Sequence, residues 1–158
     1  MDPATIEALG KAGGAAALGL AAVGSSIGAG LAGSSAIGAW KKCYAQSKAA
    51  PFILITFIGA PLSQTIYGMI LMGTVLTVQP TFWLVALLVG VLGGFGIGYS
   101  AVYQGRAAAG ACDALAETGK GFVNYLIALG IVETIAIFVL AFAMMFMGNA
   151  GVIKTALQ

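Results

Sequence analysis

Glu133 stands in the stretch IVETIAI, near the middle of an apolar run from Phe122 to about Gly148. Such a run is long enough to cross a bilayer, and a charge at the bilayer centre costs about 2.5 to 3.5 kcal/mol even on the most lenient scales. The carboxyl group must therefore be kept neutral by a proton, hold a cation, or pair with a base. Every Lys and Arg of the chain falls near a helix end or in a connecting loop, so no base of its own is at hand. The partner is then a proton, a bound ion, or a residue on another protein.

Other polar groups converge on the same depth. The spans carrying Gln104 and Glu133 meet at Thr118 and Gly119, and the two residues are equidistant from that midpoint, so an antiparallel pair sets them side by side. Gln104 brings an amide oxygen and an NH2 to the carboxylate. Arg106 points to another face, nearer the charged loop, and is read as interfacial. The stretch PLSQTIYG supplies Ser63 and Gln64, and Pro61 loosens that span because it cannot donate a backbone N–H. Tyr67, one turn from Gln64, can hold the carboxylate by its hydroxyl. A proton needs only the acid and one hydrogen-bond partner. Sodium, a hard cation, wants about six oxygens, and Glu133, Gln104, Gln64 and Ser63 can each present one. The plain alternative is inter-helix hydrogen bonds worth about 0.6 to 2 kcal/mol each. That would explain a single Gln or Ser better than several groups meeting on one acid.

Composition says what must position them. The 158 residues are 60% hydrophobic and 8% charged, with a mean hydropathy of +1.02, too little charge to cover a soluble domain. At about 20 residues per span, four helices use nearly the whole chain, which is expected to be a single all-α membrane domain over 1–158. The expected spans are about Gly10 to Trp40, Pro51 to Val78, Thr81 to Glu117 and Gly121 to Gly148. The breaks are KKCYAQSKAAP, TVQPT and the glycine-bracketed ETGKG. Lys41, Lys42 and Lys48 put the first loop in the cytoplasm by the positive-inside rule, and both termini on the other side. The third loop, with Arg106, Asp113, Glu117 and Lys120, returns to the cytoplasmic side with balanced charge. The start MDPATIEALGK lacks a basic n-region and a cleavage site, so the first apolar segment is expected to be kept as a helix.

The chain repeats itself. QTIYGMI at 64–70 aligns with ETIAIFV at 133–139 at an offset of 69, and GAG at 28–30 aligns with GIG at 96–98 at an offset of 68. Two hairpins, 10–78 and 81–148, thus lie in the same orientation, a parallel duplication rather than an inverted one. Gly24 with Gly28, Gly90 with Gly94, and Gly94 with Gly98 are four apart and let helix backbones approach closely. Glycine and alanine surround much of these helices, which points to crowding by identical copies in a ring.

These features resemble the four-helix proteolipid that forms the rotor ring of V-type ATPases, over nearly the whole chain. The duplicated hairpin, the glycine-rich first and third spans and the Glu in VETIAI carry the resemblance; PLSQTIYG and VYQGRAAAG are similar to its sodium-binding subset. The resemblance implies sodium ligation by the Glu133, Gln104 and Gln64 side chains, the Ser63 hydroxyl and the Ala60 carbonyl, with Tyr67 behind them. Ser63 stands where that subset has threonine, which keeps the oxygen and loses a methyl. It also implies a ring of identical copies in a prokaryotic cell membrane, turned by central-stalk subunits. A stator subunit there has an essential arginine that displaces the ion. Because Gln64 stands where the repeat has Glu133, four helices carry one exchangeable site. Fewer ions per turn leave more free energy per ion, which at about 2.3 kcal/mol per charge per 100 mV suits an ATP-hydrolysing pump.

The rivals are the same ring carrying protons, a small four-helix proton-coupled exporter, and a membrane spacer. Exporters of that kind hold their glutamate in the first helix with aromatic residues around a cavity, whereas this first helix is built of small residues. A spacer leaves Glu133 unexplained. No catalytic residue and no organic cofactor are expected, since GAG and GIG lie inside membrane helices and not between a strand and a helix. Histidine is absent, a net charge of +2 is too small to suggest nucleic acid, and Cys43 and Cys112 lack metal-ligand spacing.

Overall fold

The computed structural model describes residues 1–153; the last five positions of the expected domain lie outside the described residues. Helix α1 (Pro3–Ala45) begins on Asp2, whose carboxylate accepts from the Thr5 amide at 3.0 Å and the Thr5 hydroxyl at 2.7 Å. Pro3 fills the first turn, where its missing N–H is no loss. The Thr5 hydroxyl, and after it the Thr5 amide, hold the Asp2 carboxyl below its ordinary 3.8. Hydropathy marks only the apolar part of this helix. The capping signal carries it to Pro3, and helix-compatible Lys41 and Lys42 carry it to Ala45.

The second span, Phe52–Val75, is built in pieces. A 3-10 turn (Phe52–Leu54) leads into α2 (Ile55–Gly59), a second 3-10 turn (Ala60–Leu62) holds Pro61, and α3 (Ser63–Val75) follows. Proline cannot give the helical bond to the carbonyl four residues back, and the helix tightens there. A third 3-10 turn (Pro80–Phe82) opens α4 (Trp83–Thr118), and α5 (Phe122–Asn149) is the fourth span. The reversal between them uses left-handed backbone at Gly119 (φ 68°) and Gly121 (φ 89°), which glycine adopts without a steric cost. Helices long and apolar enough to cross a membrane number four among the described residues.

α1 and α4 pack backbone to backbone. A β-carbon at Gly24 would enter the carbonyl of Gly98, one at Gly28 that of Ala101, and one at Gly98 that of Leu20. At Gly90 it would meet the Gly13 carbonyl, and at Gly94 it would stand 2.7 Å from the Ala17 Cα. Two apolar clusters fill the bundle. One, around Leu54, Phe57, Cys112, Leu115 and Leu129, lies toward the lysine-rich end. The other, around Leu71, Val75, Ile97, Ala136 and Met147, lies toward the chain termini. Both cysteines are buried and unpaired. At the termini end the Gln79 N–H donates to the Val152 carbonyl at 2.9 Å, and Val78 bridges Ile153. Gly10 approaches Trp83 at the same end.

Candidate functional site

The polar residues sit between the two apolar clusters, where three spans meet. Pro61 sets the geometry on the α2–α3 side. The 3-10 turn presents the Ala60 carbonyl to the first residue of α3, and the Ser63 Oγ lies 3.1 Å from it. The same hydroxyl lies 3.2 Å from Gln64 Oε1 and 2.5 Å from Glu133 Oε1. A serine hydroxyl has one proton to give, so three acceptor oxygens contend for one donor. The Tyr67 hydroxyl, one turn along α3, donates to Glu133 Oε1 at 2.8 Å.

α4 contributes Gln104 at the depth expected from counting back from the turn. Its Nε2 donates to Glu133 Oε2 at 3.2 Å and to the Leu129 carbonyl at 3.1 Å, while its Oε1 accepts from Gln64 Nε2 at 2.8 Å. Both glutamines are fully buried; Glu133 is half-buried, with one side open. The structure therefore brings Ala60, Ser63, Gln64, Tyr67, Gln104 and Glu133 together. Gln64 is linked to the acid through Gln104 and Ser63. Gln104 turns its NH2, not its oxygen, toward the carboxylate. With the Ser63 and Tyr67 hydroxyls it places three donors on an acid that has no cationic partner among the described residues.

One residue near the site escaped the sequence reading. The buried Ser100 donates to the Val132 carbonyl at 3.0 Å and ties α4 to α5 beside Glu133. Its spacing of four before Gln104 puts it on the same helix face, a signal that was available. Arg106, read from the sequence as interfacial, also lies near the site, and α4 continues twelve residues beyond it to Thr118, about 18 Å of helix. It lies about 3 Å along the axis from Gln104. The guanidinium folds back over the Tyr103 ring, 4.9 Å from its centroid.

Comparison with known proteins gives this arrangement a setting. Residues 87–146 match the family model for the ATP synthase C subunit, a stretch that includes Gln104 and Glu133. The A-type ATP synthase subunit K of Methanocaldococcus jannaschii is 33% identical over 148 residues. The alignment covers 90% of this chain and 66% of that protein, so the chain spans just under two thirds of its relative's length. An all-helical chain of four membrane-length spans, with a mid-helix glutamate in the matched segment, agrees with both, and the comparisons support its likeness to the c/K-type proteolipids of the ATP synthase C-subunit family.

Proposed function

We propose that this chain is the rotor-ring subunit of a V/A-type rotary ATPase and that Glu133 carries a sodium ion across the membrane. The observation behind the sodium reading is the surplus of oxygen around Ser63. The Ala60 carbonyl, Gln64 Oε1 and Glu133 Oε1 all lie within 3.2 Å of one hydroxyl that has a single proton. A small hard cation relieves such a surplus, because oxygen lone pairs are what it binds. Glu133, Ser63, Gln64 and the Ala60 carbonyl supply oxygens, and Tyr67 steadies the carboxylate. Gln104 joins the set by rotating its amide half a turn.

The chain itself is non-catalytic; ATP is hydrolysed by partner subunits, and a central stalk turns the ring. Identical copies complete the ring. Gly19, Gly30 and Gly38 of α1 have no atom of this chain within 4 Å of where a β-carbon would stand, which leaves small-residue surface for a neighbour. A stator subunit brings the arginine that displaces the ion from Glu133. The hairpins 10–78 and 81–148 are tandem copies, of which only the second keeps the acid, so each copy in the ring holds one ion. That gearing suits pumping by ATP hydrolysis. Both termini lie on the non-cytoplasmic side of a prokaryotic cell membrane, with Lys41, Lys42 and Lys48 inside.

One observation favours the proton reading. Gln104 as placed offers Glu133 its NH2, an arrangement a lone carboxyl group uses as it stands. Reconstitution of the whole complex in sealed vesicles separates the two. Sodium uptake on adding ATP, undiminished by a protonophore, is expected. ATP-driven acidification with no sodium uptake would assign the ring to protons.

A further inference from the structure

Helix α5 carries the acid of the ion site, yet packing holds it only lightly to the rest of the chain. Leu129, Ala136 and Met147 are the only residues of this helix that are buried. A helix so loosely packed is free to turn about its own axis. A rotation of about 20° moves a carboxylate that stands about 5 Å from the axis by about 1.7 Å. The contacts of Glu133 with Ser63, Tyr67 and Gln104 are 2.5, 2.8 and 3.2 Å long, and such a shift breaks them.

Hydrogen bonds must therefore hold α5 where packing does not. Near the depth of Glu133, the bonds that join α5 to other helices among the described residues fall into two groups. The first is made by the site itself: Ser63, Tyr67 and Gln104 to Glu133, and Gln104 to the Leu129 carbonyl. The second is a single bond, from the Ser100 hydroxyl to the Val132 carbonyl at 3.0 Å. The ties of Gln79 to Gly151 and Val152 lie about 25 Å away along the helix axis.

Ion exchange disturbs every bond of the first group. A carboxylate that leaves for the stator gives up Ser63 and Tyr67. Gln104 turns its amide as the site fills, and so releases the Leu129 carbonyl. Ser100 bonds neither Glu133 nor Gln104. Its partner is a backbone carbonyl one residue before the acid, and a carbonyl has a second lone pair beyond the one its own helix uses. Ser100 is 6% exposed, so water does not compete for the bond. Beside it α4 and α5 part into a groove of about 300 Å³ lined by Gly96, Tyr99, Tyr103, Val132 and Ile135. Apolar contact within this chain does not replace the bond on that side.

We infer that Ser100 is a positioning residue of the ion site: it pins α5 at Val132, so that the Glu133 carboxylate returns to the same oxygens after each exchange. The side chain swings while the helix stays. This rests on the reading of Glu133 as an exchanging ion carrier, and not on which ion it carries.

The purified natural assembly tests this with three variants. In equilibrium binding, Ser100→Ala is expected to hold sodium about 3- to 10-fold more weakly than wild type, the worth of one bond between membrane helices. Its ratio of sodium to lithium affinity moves toward one, because a carboxylate without a fixed place follows the size of the ion. Ser100→Thr, whose extra methyl enters the groove, restores both. Amide exchange over residues 129–136 in ion-free buffer, read by mass spectrometry, is severalfold faster in Ser100→Ala than in wild type or Ser100→Thr. A part in stability alone would lower the melting temperature and leave the affinity ratio of the folded protein unchanged. That result overturns the proposal, as does wild-type exchange in Ser100→Ala. Should that variant fail to assemble, Ser100→Cys fills the same space with a weaker donor. Faster exchange there supports the pin, and wild-type exchange contradicts it. A wild type that binds no sodium sinks the sodium reading, while the exchange comparison still decides on Ser100.

Discussion

Replacing Ser63 by alanine removes one atom from the ion site and leaves its backbone frame in place. The lost hydroxyl is the point at which the Ala60 carbonyl, Gln64 Oε1 and Glu133 Oε1 converge, at 3.1, 3.2 and 2.5 Å. A hydrogen bond to a charged group is worth about 1.5 to 3 kcal/mol, and an oxygen ligand lost from a hard cation costs on that order. At about 1.4 kcal/mol per tenfold, sodium affinity in Ser63→Ala falls about 10- to 150-fold. Tyr67→Phe also strips one bond from Glu133 Oε1, but in this reading Tyr67 steadies the carboxylate rather than ligating the ion, so its loss sits at the lower end. Ser63→Thr keeps the oxygen and restores affinity. Equilibrium binding of radioactive sodium to the purified assembly measures all three. A Ser63→Ala protein that folds and binds sodium as tightly as wild type would refute the oxygen-cluster reasoning. So would a threonine variant as weak as the alanine one.

Other consequences lie outside the ion site. Gly24→Ala drives a β-carbon into the Gly98 carbonyl and should cost about 1 to 3 kcal/mol. Gly59→Ala, on a surface with no atom within 4 Å, should leave the melting temperature in detergent near wild type. Ser25 is 2% exposed and its hydroxyl has no hydrogen-bond partner among the described residues, so Ser25→Ala should raise stability by about 1 kcal/mol. The Asp2 cap titrates. Its carboxyl is held below 3.8 in the folded helix, so the cap is intact above that value and is lost as pH falls through the lowered one. Amide exchange at Thr5, corrected for intrinsic rate, should accelerate only in that acid range in wild type, and at every pH in Asp2→Ala.

Much of this was legible in the residues because two simple rules carry far in a membrane. Apolar length locates spans, and the symmetry of a hairpin about its turn pairs residues. Counting outward from Thr118 and Gly119 set Gln104 against Glu133, and the structure joins them at 3.2 Å. Pro61 and Ser63 could be seen as neighbours in sequence. The 3-10 turn that aims the Ala60 carbonyl at the hydroxyl could not, since it depends on how the backbone recovers from one missing donor. The orientation of the Gln104 amide was equally hidden, being fixed by Gln64 and the Leu129 carbonyl in the assembled bundle. Helix α1 outran its apolar stretch at both ends, where the Asp2–Pro3 cap was the overlooked signal. The contact of Val78 with Ile153 joins distant segments and left no local trace.

Carbodiimide labelling of Glu133 in the wild-type assembly bears most directly on the claim that its carboxylate holds an exchangeable sodium ion. The label attacks the protonated acid, so sodium should slow it at neutral pH in a saturable way, potassium at the same ionic strength should not, and lowering the pH should restore the rate. A labelling rate that follows pH alone and ignores sodium at every concentration would contradict the claim.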